Sequence, residues 1–153
     1  MPPLEQTLSP AQDGEILELD ELWSFVLKRE NKRWIWLALC RRTRQVVAYA
    51  IGDRGERTCR LLWKRIPESY REGVFYSDFW ESYRKVLPED QHRPVGKSEG
   101  QTAHVERWNL TLRQRLSRFV RKTLSFSKSE VMHEVCLLLF LHDHNRLCLN
   151  NTK

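Results

Sequence analysis

Three acidic residues stand in local settings from which carboxylates can gather around divalent cations. Asp20 lies in the alternating run Glu18-Leu19-Asp20-Glu21-Leu22-Trp23. Asp78 closes the apolar run Val74-Phe75-Tyr76-Ser77, and Glu106 sits in the helix-patterned run His104-Val105-Glu106-Arg107-Trp108-Asn109. Two aspartates at strand ends and a glutamate on a nearby helix are hard oxygen donors suited to a pair of divalent cations. Such pairs, roughly 3.5–4 Å apart, drive in-line attack on phosphodiesters. Taken alone, three acids among twenty are weak evidence, because most acidic side chains are solvated surface charges. Glu18 and Glu21 compete with Asp20 for assignment.

Basic residues follow the third acid closely. Residues 91–128 hold 9 Lys+Arg against 2 Asp+Glu, whereas residues 1–90 balance at 15 and 15, so the net charge of +6 arises in the C-terminal part. Arg107, Arg113, Arg115, Arg118, Arg121 and Lys122 occupy about four helical turns and form a candidate contact surface for a nucleic-acid backbone. The competing reading is a solvated helix face.

The elements that must position these groups follow from periodicity. Residues 1–14 carry three prolines and little pattern and read as a flexible lead-in. From Glu15 the pattern alternates, with Leu17, Leu19, Trp23 and Phe25 on one face and Asp20, Leu22 and Val26 on the other. Lys28 to Lys32 reads as a polar turn. Arg33 to Cys40 is apolar on both faces, as a central strand requires, and Gln45 to Ile51 is a third strand after the turn Arg41–Arg44. Glu56 to Ile66 reads as a helix stopped by Pro67. Gly73 to Asp78 is a fourth strand, Phe79 to Val86 a short helix, Gln91 to Val95 a fifth strand, and Gly96 to Gly100 a loop.

Thr102 to Arg121 is the clearest helix. Val105, Trp108, Leu112, Leu116 and Phe119 mark its buried stripe, with Glu106 beside the stripe and Asn109 and Arg113 on the face of Glu106. Ser127-Lys128-Ser129-Glu130 fits a capping box opening a last helix to about Leu147. The order βββαβαβαα predicts a mixed five-stranded sheet, an antiparallel meander first, flanked by α-helices. The expected division is a lead-in over 1–14, one catalytic domain over 15–149 and a tail over 150–153.

The remaining composition excludes other classes. No apolar run is long enough to span a bilayer and no secretory signal pattern is visible, so a cytoplasmic protein with reduced thiols is the default. No CxxC pair exists; Cys136, His142, His144 and Cys148 could be drawn as a metal cluster, but helix residues without a metal are the plainer reading. Trp23, Trp34, Trp36 and Trp108 suit the core, Trp80 lies beside a proposed acid, and His104 reads as solvent-facing.

The words around the three acids raise the case for a metal site. Leu19-Asp20-Glu21-Leu22-Trp23-Ser24-Phe25-Val26 resembles the first catalytic block of transposases of the insertion-sequence-one family, within the DDE transposase group. Trp34-Ile35-Trp36-Leu37-Ala38 and Arg41 to Tyr49 resemble its next two strands, and Ser77-Asp78-Phe79-Trp80 with Tyr83 its second block. Gln101 to Gln114, continuing through Arg118 and Arg121 to Ser129, is similar to its glutamate block and the signature that follows.

The resemblance implies a ribonuclease H-like core, cleavage at transposon ends and strand transfer into target DNA. It implies two Mg²⁺ or Mn²⁺ ions on Asp20, Asp78 and Glu106, with Asn109 as an active-site neighbour. Transposon-end and target DNA are the implied partners, and action at two DNA ends makes a homo-multimer reasonable. Family members carry a preceding zinc-binding and helix-turn-helix region, often encoded in a separate upstream frame. This sequence resembles the downstream frame, so an upstream-frame product is a further expected partner. The alternatives are a truncated, non-catalytic DNA-binding or transposase-regulating module and a ribonuclease H-like nuclease acting on RNA.

Overall fold

The structure is a computed structural model that describes residues 2–26, 28–122 and 130–151; within these ranges the side chains of 25, 26, 28–32, 118–122, 130, 150 and 151 are not described. Five strands form one sheet: β1 (Ile16–Val26), β2 (Lys28–Cys40), β3 (Val46–Gly52), β4 (Val74–Ser77) and β5 (His92–Pro94). Their order is β3-β2-β1-β4-β5. β1, β2 and β3 pair antiparallel, and β4 lies parallel to both β1 and β5. The helices are α1 (Glu56–Arg65), α2 (Glu68–Arg71), α3 (Glu81–Val86), α4 (Ala103–Lys122) and α5 (Glu130–Asn151), with 3₁₀ turns at Leu4–Thr7 and Lys97–Glu99. The mixed sheet flanked by helices is the expected architecture.

The two-residue period of the strands divides the core. Leu17 and Leu19 of β1, with Trp36, Ala38 and Cys40 of β2, pack on Cys59, Leu62, Ile66, Tyr70 and Tyr83 from the α1–α3 side. Leu22, Ile35, Leu37 and Leu39 pack on Val105, Trp108, Leu112 and Leu116 of α4 and Cys136, Leu137 and Leu141 of α5. β2 is therefore buried on both faces because its sequence is apolar at both parities. The expected stripe of α4 is the one buried, as far as Leu116; Phe119 lies outside the described side chains.

Several elements differ from expectation. Residues 28–32 continue β2 as strand, with a register irregularity at Phe25/Val26, because the hairpin ladder overrides the polar composition. The N-terminal segment expected as a flexible lead-in is docked over residues 4–9. Leu4 joins the α4–α5 core, Gln45 Nε2 donates to Thr7 O (2.9 Å), Asn145 Nδ2 donates to Thr7 Oγ1 (2.9 Å), and Tyr70 donates to Ser9 O. Its partners come from distant parts of the chain, which local pattern cannot reveal. Trp36 is fully buried, whereas Trp23 and Trp34 are only partly buried. The capping box at 127–130 falls largely outside the described residues.

Gly73, opening the fourth strand segment, sits where β4 meets the start of β1. A Cβ there would stand 2.3 Å from Glu15 O, the acceptor of the Val74 N–H at 2.9 Å. Backbone on both sides leaves little room to yield. Gly73→Ala is expected to lower stability by about 1–3 kcal/mol, read as a lower urea midpoint at unchanged m-value.

Candidate active site

The parallel pair β1–β4 creates the site by being short. β4 pairs with β1 only across Ile16–Glu18 and ends at Ser77, while β1 runs on to Val26. Beyond Glu18 the β4 side of β1 has no strand partner among the described residues, midway along β1 and at the carboxyl end of β4, where the strand order switches direction. Open α/β sheets bind ligands in that kind of crevice. Asp78, the residue after β4, falls there beside Asp20 and Glu21.

One carboxylate oxygen each from Asp20, Glu21 and Asp78 lie within 4.8 Å of one another. Adjacent residues of a strand point to opposite faces, and these two do so at their outer contacts. Asp20 Oδ2 accepts from Asn109 Nδ2 of α4 at 2.9 Å, on one face of the sheet. Glu21 Oε1 accepts from the buried Tyr83 hydroxyl at 2.8 Å, on the other, and Glu21 Oε2 pairs with Arg54 Nη2 at 3.0 Å. Asp78 Oδ1 accepts from the Trp80 N–H at 2.9 Å, closing a tight turn. The missing strand neighbour lets side chains from both faces meet around the open edge.

The electrostatics of the cluster reflect that crowding. Burial pushes Asp20 up to about 6, helped by the Asp78 charge and opposed by the Asn109 bond and the Lys97 charge. Burial also lifts Glu21 to about 7, followed by the charges of Asp78 and Asp20, against the Tyr83 bond and the Arg54 charge. Two carboxylates that burial and nearby negative charge keep from ionising freely, with a third oxygen donor beside them, are a set that a hard divalent cation relieves, so the residues present fit such a cation. Asn109 Oδ1 is also buried without a hydrogen-bond donor among the described residues, a further hard oxygen beside the cluster.

Glu106 takes a different place. It stands one helical turn before Asn109 on α4, and its Oε1 accepts from Thr102 Oγ1 at 2.7 Å. The convergent group comprises Asp20 and Asp78 with Glu21, and Glu106 is outside it. Of the basic residues, Arg107 is exposed, Arg113 lies over the Trp23 ring at 5.0 Å and Arg115 over Trp108 at 5.6 Å. The side chains of Arg118, Arg121 and Lys122 lie outside the described ones.

Glu18 is the residue that fixes α4 over the acids. Its carboxylate is fully buried and accepts from the backbone N–H of His104 (2.9 Å) and Val105 (3.2 Å), the free donors of the first turn of α4. It also bonds His104 Nδ1 at 2.7 Å and Arg41 Nε at 3.0 Å, and Arg41 Nη2 donates on to Gln101 O. His104, expected to face solvent, is thus tied to β1. The available sequence signal was parity: Glu18 is two residues before Asp20 and must share its face. At the other end of the chain, His144 Nε2 bonds Arg44 O at 2.7 Å, and no metal-type group forms there among the described residues.

A mixed five-stranded sheet with helices on both faces defines a ribonuclease H-like domain. The same fold is found in the HTLV-2 integrase catalytic core domain, solved in complex with magnesium in a trimeric form. The two align with a TM-score of 0.55 at 11% identity, covering 81% of this chain and 82% of that one. The chain belongs to the IS1 transposase family, whose profile matches residues 15–146. It is 41% identical over 129 residues to the insertion element iso-IS1n protein InsB of Shigella dysenteriae, spanning 84% of this chain and 95% of that protein. The insertion element IS1 protein InsB of Shigella flexneri is 37% identical over 117 residues, 76% of this chain and 86% of its own length.

Proposed function

We propose that the domain is the catalytic unit of a DNA transposase that cuts phosphodiesters at transposon ends and joins them to target DNA. The observation that carries this is the meeting of Asp20 and Glu21, midway along β1, with Asp78, just past the end of β4, in a member of a transposase family. Asp20, Asp78 and Glu106 are the proposed ligands of two Mg²⁺ or Mn²⁺ ions, Glu106 exchanging its Thr102 bond for a cation. When bound, such ions activate the attacking oxygen and stabilise charge on the leaving one. Asn109 fixes the Asp20 carboxylate from α4. Tyr83 and Arg54 hold Glu21 against the sheet, and Lys97 adds positive charge near Asp20. Arg107, Arg113 and Arg115, with Arg118, Arg121 and Lys122, supply sequence-independent contacts to the DNA backbone.

Transposition acts on paired DNA ends, so a second copy of the chain is the proposed partner. End recognition is assigned to a zinc-binding, helix-turn-helix product of an upstream frame. The cytoplasm is the proposed site of reaction because the proposed substrate is DNA; separately, among the described residues no helix is long and apolar enough to cross a membrane. The test is nicking and strand transfer on transposon-end DNA with Mg²⁺, by the chain alone and with the end-binding region added. Cleavage in either arm supports the proposal. Binding without cleavage in both arms would replace it with a regulatory module, and preferential cutting of an RNA–DNA hybrid with a nuclease.

Metal binding has a second readout in stability. Asp20 and Glu21 hold protons more tightly folded than unfolded, so metal-free stability falls as pH rises from about 4 through 7. A cation favours the deprotonated form and offsets that loss. Millimolar Mg²⁺ is expected to raise the melting midpoint by about 5 °C at pH 8 and by far less at pH 5. Equal shifts at the two pH values in a thermal melt would contradict the linkage.

A further inference from the structure

The residue after Asp78 stands outside the described core. Phe79 is 61% exposed and belongs to neither core cluster. The turn that presents it is nonetheless held firmly. The Trp80 N–H donates to Asp78 Oδ1 at 2.9 Å, bracketing Phe79 between a proposed metal ligand and a fixed tryptophan. Trp80 Nε1 donates to Arg54 O at 2.9 Å, and the Arg54 guanidinium lies 4.2 Å from the centre of the Trp80 ring and 4.8 Å from that of Trp34. Arg54 thereby lies within cation–π range of two indoles, and its side chain keeps 39% of its surface open to solvent beside Glu21. An exposed aromatic ring on a braced turn, with a cation packed on the ring of the next residue, Trp80, is a surface matched to a base and its phosphate.

We infer that Phe79 is a stacking platform for one unpaired base of the DNA strand at the acid cluster, with Arg54 beside it for a backbone phosphate. This rests on the reading of the site as acting on DNA. Proximity argues for the occupant: Phe79 follows Asp78 directly, about 3.8 Å away between Cα atoms, so a strand bound at the acids lies within reach of this turn. Bases inside a duplex have both faces covered by their neighbours. A frayed, flipped or overhanging nucleotide is free to turn a face to Phe79, whereas a paired one is held in the stack, so the platform selects unpaired DNA at the point of reaction.

The experiment measures binding with Ca²⁺ in place of Mg²⁺, using one duplex with a short unpaired 3′ end and the same duplex blunt. A 2-aminopurine in the unpaired end reports stacking by quenching. The protein is expected to favour the unpaired end by about 5- to 100-fold. Phe79→Ala should remove most of that preference and the quenching while leaving blunt-duplex affinity unchanged, and Phe79→Trp should restore both. Equal wild-type affinity for the two DNAs would overturn the platform alone. So would a full preference in Phe79→Ala, or an equal loss of both affinities in that variant. Absence of binding to either DNA would instead bring down the proposed function, and the platform with it.

Discussion

Asp78→Asn is expected to reduce Mg²⁺-dependent DNA cleavage by at least about 10³-fold, several kcal/mol of transition-state stabilisation, while leaving the fold intact. The two effects separate because the carboxylate has separable contacts. An asparagine keeps the Oδ1 that accepts the Trp80 N–H, so the turn after β4 survives. What disappears is the charge that helps raise Asp20 and Glu21. With that repulsion gone, the metal-free variant should be more stable than the wild type by about 1 kcal/mol at pH 8. It should also lose most of the Mg²⁺-induced rise in melting midpoint. Nicking assays and melts with and without Mg²⁺ check the pair of outcomes, and wild-type cleavage by the variant would refute the site assignment. Asp20→Asn should behave alike, since an amide oxygen can still accept from Asn109.

Glu18→Ala is expected to cost about 3–5 kcal/mol of stability, the loss typical of breaking a buried ion pair from one side. Its carboxylate joins Arg41, His104 and two backbone donors of α4 to β1. Removing it leaves those donors facing an apolar methyl, and the first turn of α4 loses its cap. Glu18→Gln, which retains one acceptor oxygen, should cost markedly less. Urea unfolding separates the two variants; a Glu18→Ala loss below about 1 kcal/mol would show that α4 is held by its apolar stripe alone. Activity should fall in the same order, because the helix that Glu18 anchors carries both Asn109 and Glu106.

Asp78 and Glu18 differ in how far residue order alone reveals them. The apolar run of β2 at both parities announced a central strand, the stripe Val105–Trp108–Leu112–Leu116 announced the buried face of α4, and the acid closing the run Val74–Ser77 announced Asp78, whereas Asp20, expected at a strand end, lies midway along β1. Each signal is local: a period of two or 3.6 residues, or a charge that ends an apolar run, stays within a few residues of chain. The resemblance of the surrounding words supplied the family and the fold. Residues 4–9 and the tie between His104 and Glu18 were not legible, because their partners lie elsewhere in the chain, and the strand character of 28–32 was not, because a polar composition hides its hairpin pairing with Phe25 and Val26.

Glu21 marks the boundary most sharply. Its parity sends it to the opposite face from Asp20, toward Tyr83, and nothing in the run Glu18–Trp23 brings the two together. They meet because β4 stops at Ser77 and leaves the edge of β1 open, so that side chains from both faces turn around it toward Asp78. Which residues are charged, and which face each one leaves from, was set by the order of amino acids. The length of the neighbouring strand, and with it the acids that share one small volume, was decided only when the sheet assembled, since pairing across a sheet depends on contacts that no local period encodes.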